Sequence, residues 1–206
     1  MRENWANWRP CLSTPQRDFP PDLQSVIDEI ARSEQEAREL VEGLTDAQMN
    51  WQPNSGAAWS IAQCLDHLAR INAIYLASLR AALRERNSAT APRSGPIRPG
   101  WLSGVFIRTV DAPPRRKFSA PTQAMPTSQI GAEDALDAFI HSHDEVRALL
   151  LECVDVDLNH IRFKNPFVRV LAFTVGTGLL IILAHYRRHL WQARQVRNAL
   201  VGQASR

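Results

Sequence analysis

Two histidines four residues apart, His185 and His189 in the stretch HYRRHLWQ, offer the first chemistry in this chain. Side chains at i and i+4 lie one above the other on a helix, close enough to give two nitrogens to one ion. An inward stripe through Ile182, His185, Tyr186, His189, Ala193, Val196 and Leu200 puts both imidazoles on the apolar face, with Arg187, Arg188, Arg194 and Asn198 on the other. A metal needs a third ligand. His67, in WSIAQCLDHL, falls in a second apolar row with Cys64, Leu68, Ile71, Ile74 and Tyr75. Three neutral imidazoles with an open fourth position suit zinc, nickel or a similar borderline divalent ion, with water or a substrate thiolate completing the sphere. HYRRH carries no glutamate, so the zincin motif HExxH is absent and metalloprotease chemistry is not supported. The competing reading makes each histidine a hydrogen-bonded core residue, and spacing alone does not separate the two.

Other residues could serve the same neighbourhood. Gln192, about one turn beyond His189, can hydrogen-bond there. His143 faces inward on its own helix and either lines the same cavity or fills the core. Glu34 interrupts the apolar stripe of the first helix, where it either orients a ligand imidazole or sits at an exposed edge. His141 must point elsewhere, because i and i+2 do not share a helix face, and His160 lies in a loop with no evident partner. Cys64 reads as a small buried hydrophobe rather than a nucleophile. Trp59 and Trp191 read as packing residues near helix ends or at a subunit contact.

Four helical stretches must position these groups. The first follows Asp22, with Leu23, Val26, Ile27, Ile30, Ala37, Val41 and Leu44 at three-and-four spacing. Thr45 and Gln48 have capping-box spacing before Pro53 and Gly56 break the pattern, and Ser60 and Gln63 repeat that spacing at the start of a second helix running to about Arg86. From about residue 87 to 131 the texture changes: seven of the thirteen prolines fall here, with Arg93, Arg98, Arg108, Arg115, Arg116 and Lys117. That composition forbids a long helix, although GWLSGVFIRTV could form one short amphipathic turn or strand. So long a connection suits a crossover between parallel helices that covers part of the bundle. A third helix is expected over about Ala132–Cys153, with Leu136, Phe139, Ile140, His143, Val146 and Leu150 inward. A fourth starts between Thr174 and Gly178 and ends near Gly202, and no strand-like alternation is convincing. The expected fold is all-α: a four-helix bundle with a long crossover between helices two and three. The domain spans residues 22–202 behind an N-terminal extension of residues 1–21.

Composition narrows the function classes. Twenty-four basic against twenty-one acidic residues give only +3, too small and dispersed for a nucleic-acid footprint. The basic run PPRRK at residues 113 to 117 reads as solvated rather than as an anion site. Cys11, Cys64 and Cys153 are odd in number and unpaired by motif, which fits a reduced, cytoplasmic interior. The N-terminus has no signal-peptide core, and the uncharged run from Val170 to Ala184 is shorter than the roughly 20 residues of a membrane span, so it reads as a buried helix.

NWQPNSGAAWSIAQCLDHL followed by TGLLIILAHYRRHLWQARQV closely resembles the DinB-like superfamily (DinB/YfiT-like) of metal-binding four-helix bundles, over about Leu23 to Val201. That family pattern has a WSI-type helix start, an HL further on, and an HxxxH followed by Gln on the last helix. The resemblance implies a divalent metal, zinc or nickel, held by His67, His185 and His189. It also implies kinship with transferases that use low-molecular-weight thiols such as bacillithiol or mycothiol, a small-molecule substrate and a homodimer, with no nucleic-acid or membrane partner. Gln63 stands where many members carry an acidic residue shortly before the metal histidine, which changes what surrounds His67. The function expected is that of a metal-dependent thiol transferase or hydrolase; the alternative is a metal-binding bundle without catalysis, used for structure, sensing or interaction.

Overall fold

The computed structural model describes residues 19–86, 92–114 and 119–204. Most of the N-terminal extension, Cys11 within it, and the expected basic residues Arg115, Arg116 and Lys117 lie outside the described residues. Helix α1 spans Pro21–Val41, with proline in its first turn and Gly43 in the left-handed region just past its end. Leu23, Val26, Ile30, Ala37 and Leu40 are its buried stripe; each larger side chain among them contributes about 1.5–3 kcal/mol of hydrophobic stabilisation. The Thr45 capping box opens a single turn, α2 (Asp46–Met49), and the Ser60 capping box opens α3 (Ile61–Glu85), both boxes formed in full. Helix α5 spans Ala132–Cys153 and α6 spans Val175–Ala204. Thr174 starts α6, its hydroxyl accepting from the Thr177 N–H at 3.2 Å.

The four long helices form the expected bundle. On α6, Arg187 meets Glu29, Arg194 meets Glu36 and Arg197 meets the Glu39 carbonyl, all at one separation of 158 residues, so α1 and α6 run parallel. Asn72 to Ser142 and Arg80 to Glu145 make α3 and α5 parallel as well. Asn72 to Tyr186, and Leu79 against Gly178, make α3 and α6 antiparallel. The connection from α3 to α5 must therefore return along the whole bundle, which accounts for its length. The first half of α6 is buried nearly all round, and no helix among the described residues is long and apolar enough to cross a membrane.

Two expectations are corrected. The segment GWLSGVFIRTV is a full ten-residue helix, α4 (Trp101–Val110), rather than a short turn or strand. It is held by what its inner face meets: Phe106 packs on Phe173 with centroids 5.0 Å apart, and Ile107 and Val110 join the core. A two-stranded antiparallel hairpin is also present, β1 (Arg162–Lys164) with β2 (Ala172–Thr174). Three-residue strands are too short to show alternation in sequence. Asn165 makes the turn, its side-chain oxygen accepting from the Phe167 and Val168 N–H groups while its amide nitrogen donates to the Tyr75 hydroxyl.

The crossover is tied down at both ends. Asp22 accepts from the Ile97 N–H at 2.7 Å and from the Arg93 guanidinium, and Asn159 holds the Arg98 N–H and the Pro96 carbonyl. Further on, Asn50 bonds both the N–H and the carbonyl of Ile130. Between these anchors, residues 121–130 lie as a strap across the first half of α3.

Candidate metal centre

His67 projects from the second turn of α3, and His185 and His189 from successive turns of the antiparallel α6. One ring nitrogen from each can be chosen so that all three lie within 4.8 Å of one another, which makes this a group that could hold a metal ion. The ring centroids are 4.5 Å apart for His67 and His189, 5.0 Å for His185 and His189, and 5.6 Å for His67 and His185. His67 and His189 are buried and His185 half-buried. All three are neutral at physiological pH. Burial pushes His185 down to about 3, and the nearby Arg188 charge acts in the same direction. Burial likewise holds His189 well below its ordinary value, and His67 is lowered mainly by burial although the Ala124 carbonyl opposes the shift.

The donor set fits a borderline divalent ion on two further observations. His67 Nδ1–H donates to the Ala124 carbonyl at 2.6 Å, so its Nε2 carries the lone pair. The Nδ1 atoms of His185 and His189 are buried with no hydrogen-bond partner among the described residues. A buried nitrogen left unsatisfied costs about 1–3 kcal/mol, so a fold that keeps two side by side is better matched to an added ligand than to a closed core.

Trp59 completes the surroundings. Its ring stacks on His189 at 5.6 Å with 26° between planes and tilts against His67 at 4.7 Å. It sits one residue before the Ser60 cap, so the start of α3 aims it back over the histidines. Trp59, expected as a packing residue, packs on the histidines themselves, and Ala124 carries no expectation from the sequence. The first could have been suspected from the cap; a backbone carbonyl leaves no trace in sequence.

The other expected residues fall as follows. Gln192 lies close enough to His189 to oppose a little of the shift that burial imposes on it. Gln63 closes the α3 capping box and donates to the Thr127 and Ser128 carbonyls, while the bond to His67 comes from the strap. Glu34 reaches a buried imidazole, but that of His143 (3.0 Å), and also pairs with Arg147 at 2.8 Å. His143 packs between Phe139 and Tyr186 and is not in the three-histidine cluster. His141 is exposed, and His160 pairs with Asp157 at 3.1 Å. Arg187 faces away from the cluster onto Asp111 and Glu29. Cys64 is buried, which pushes its thiol well above the ordinary value, and burial also pushes that of Cys153 up, to about 12.

His143 gives a pH prediction. Burial pushes it down to about 4, against the pull of the Glu34 hydrogen bond. The unfolded chain takes up a proton near pH 6.5 that the folded chain refuses, so this stability is present above that pH and lost as pH falls toward 4. Between pH 7 and pH 5 the parent should lose about 2 kcal/mol more than His143→Gln, read from urea unfolding of metal-free protein at both pH values.

A family profile described as the DinB superfamily matches residues 29–193. No curated protein and no solved structure matches the chain.

Proposed function

The chain belongs to the DinB superfamily, and on that premise we propose that it is a metal-dependent enzyme. In this reading His67, His185 and His189 hold one divalent ion, zinc or nickel, at which a low-molecular-weight thiol is transferred to a small electrophilic substrate. The carrying observation is the convergence of three neutral imidazoles, two of them with Nδ1 atoms that find no hydrogen-bond partner among the described residues. When bound, such an ion supplies acidity, lowering the pKa of a coordinated thiol so that it is a thiolate at neutral pH. The protein's own residues prepare that chemistry. Burial keeps the three rings unprotonated, the Ala124 carbonyl fixes which nitrogen of His67 carries its proton, and the Trp59 ring covers His67 and His189. Three protein donors leave a position for an exogenous ligand, which is how catalytic sites differ from closed structural ones.

The test measures metal on purified protein and on His67→Ala, then screens conjugation of small electrophiles with several cellular thiols. The expected result is about one ion per chain in the parent, its loss in the variant, and metal-dependent turnover with one thiol. Stoichiometric metal in both proteins would refute the site. Metal without turnover for any thiol would leave the non-catalytic bundle as the better reading.

A further inference from the structure

Gln63, Asp66, His67 and Arg70 occupy positions i, i+3, i+4 and i+7 of α3 and so share one face. All four bond to the strap. Gln63 donates to the Thr127 and Ser128 carbonyls; Asp66 Oδ2 accepts from the Thr127 N–H at 2.7 Å; His67 Nδ1–H donates to the Ala124 carbonyl; Arg70 donates to the Thr127 hydroxyl at 2.8 Å. The same Asp66 oxygen accepts from Arg70 Nε at 2.9 Å, so Asp66 and Arg70 grip Thr127 by its backbone and side chain together. Gln63, Asp66 and His67 are buried, an unusual load of polar groups for one face of a core helix.

Thr127 is three residues from Ala124, and the link is stiff. Pro126 fixes its own φ, the turn Thr122–Ala124 is closed by the Met125 N–H on the Thr122 carbonyl, and the Ala124 methyl is itself buried. Where Thr127 is held therefore decides where the Ala124 carbonyl points. That carbonyl in turn keeps the His67 proton on Nδ1.

We propose that Asp66 is a positioning residue for the metal site: by clamping Thr127 it holds the Ala124 carbonyl on His67 and so sets the tautomer that presents Nε2 to the other two histidines. The inference rests on the metal reading for its consequence but not for its geometry. Asp66→Asn keeps the shape and removes the charge that accepts two hydrogen bonds at one oxygen.

The experiment has two arms. In metal-free protein carrying ¹⁵N-labelled histidine, long-range proton–nitrogen correlation reads the His67 tautomer. The parent should hold the proton on Nδ1, and Asp66→Asn should show a mixture with Nε2–H. In a zinc titration the variant should bind about tenfold more weakly, the lower end of the usual effect of losing a group that orients a metal ligand. Arg70→Met, which loses only the outer half of the clamp on a partly exposed residue, should move both readouts the same way by less. A His67 that stays wholly Nδ1–H in both variants overturns the clamp, whatever the metal result. If Asp66→Asn does not fold, an unchanged tautomer and zinc affinity in Arg70→Met overturn it equally. A parent that binds neither zinc nor nickel sinks the metal reading and leaves the tautomer arm to decide the clamp.

Discussion

His189→Leu should abolish stoichiometric metal binding and, in the same protein without metal, raise the melting temperature. The two effects have one cause. His189 is buried with an Nδ1 that finds no partner among the described residues, and an apolar side chain of similar size removes that unsatisfied nitrogen. Relief of about 1–3 kcal/mol corresponds to roughly 2–12 °C for a chain of this size. With excess zinc the order should reverse, because only the parent gains the binding free energy, about 2.7 kcal/mol at a hundredfold excess over Kd. Thermal scans in chelator and in zinc check both signs. A variant that melts below the parent in chelator would mean that His189 is a satisfied core residue, and the case for a metal would lose its main physical support.

Gly178→Val should cost about 2–4 kcal/mol of stability and weaken metal binding although it lies two turns from the nearest ligand. A Cβ at this position would stand 2.6 Å from Leu79 Cδ2 and 2.9 Å from Phe163 Cε1, and both neighbours are buried, so neither can swing aside cheaply. Relief requires α6 to move away from α3 as well as from the hairpin, and α3 and α6 are the two helices that carry the histidines. Gly178→Ala should cost less, about 1–2 kcal/mol, because the gain in helix propensity offsets part of the clash. Gly202→Ala is the control: the same helix, nothing within 4 Å of the added carbon, and an expected effect near zero or slightly stabilising. Urea unfolding and zinc titration of the three variants would show whether the close approach is real. Equal stability of Gly178→Val and Gly202→Ala would refute it.

The bundle was legible because its signals are local and repeated. Both capping boxes, at Thr45 and Ser60, formed as their spacing implies, and the limits of α5 match the apolar period. The histidine cluster was legible for a different reason, since His185 and His189 fix each other's direction along one helix and His67 lies in the apolar row of another. What escaped depends on partners distant in the chain. Helix α4 is stabilised by Phe173 and α6 rather than by its own cap, where Gly100 offers no side chain. The hairpin rests on Asn165 meeting Tyr75. Glu34 stood out as a charge within an apolar stripe, but only the packing of α1 on α5 shows that the imidazole it reaches is His143. The strap's hold on His67 is made by a main-chain oxygen, which every residue has and no sequence advertises.

The antiparallel pairing of α3 with α6 also sets an order in time. Its two sets of imidazoles come from near the start of the fold and from its last described helix, so contacts between them are among the most distant in sequence that the chain makes. Such contacts close only once the entropy of the intervening loop has been overcome. An ion is bound by all three rings only in a chain whose last helix has docked; without that docking the chain offers single imidazoles or the α6 pair. Metal uptake during refolding would then follow the docking of α6 on α3, and a loaded protein would be one in which that docking was complete.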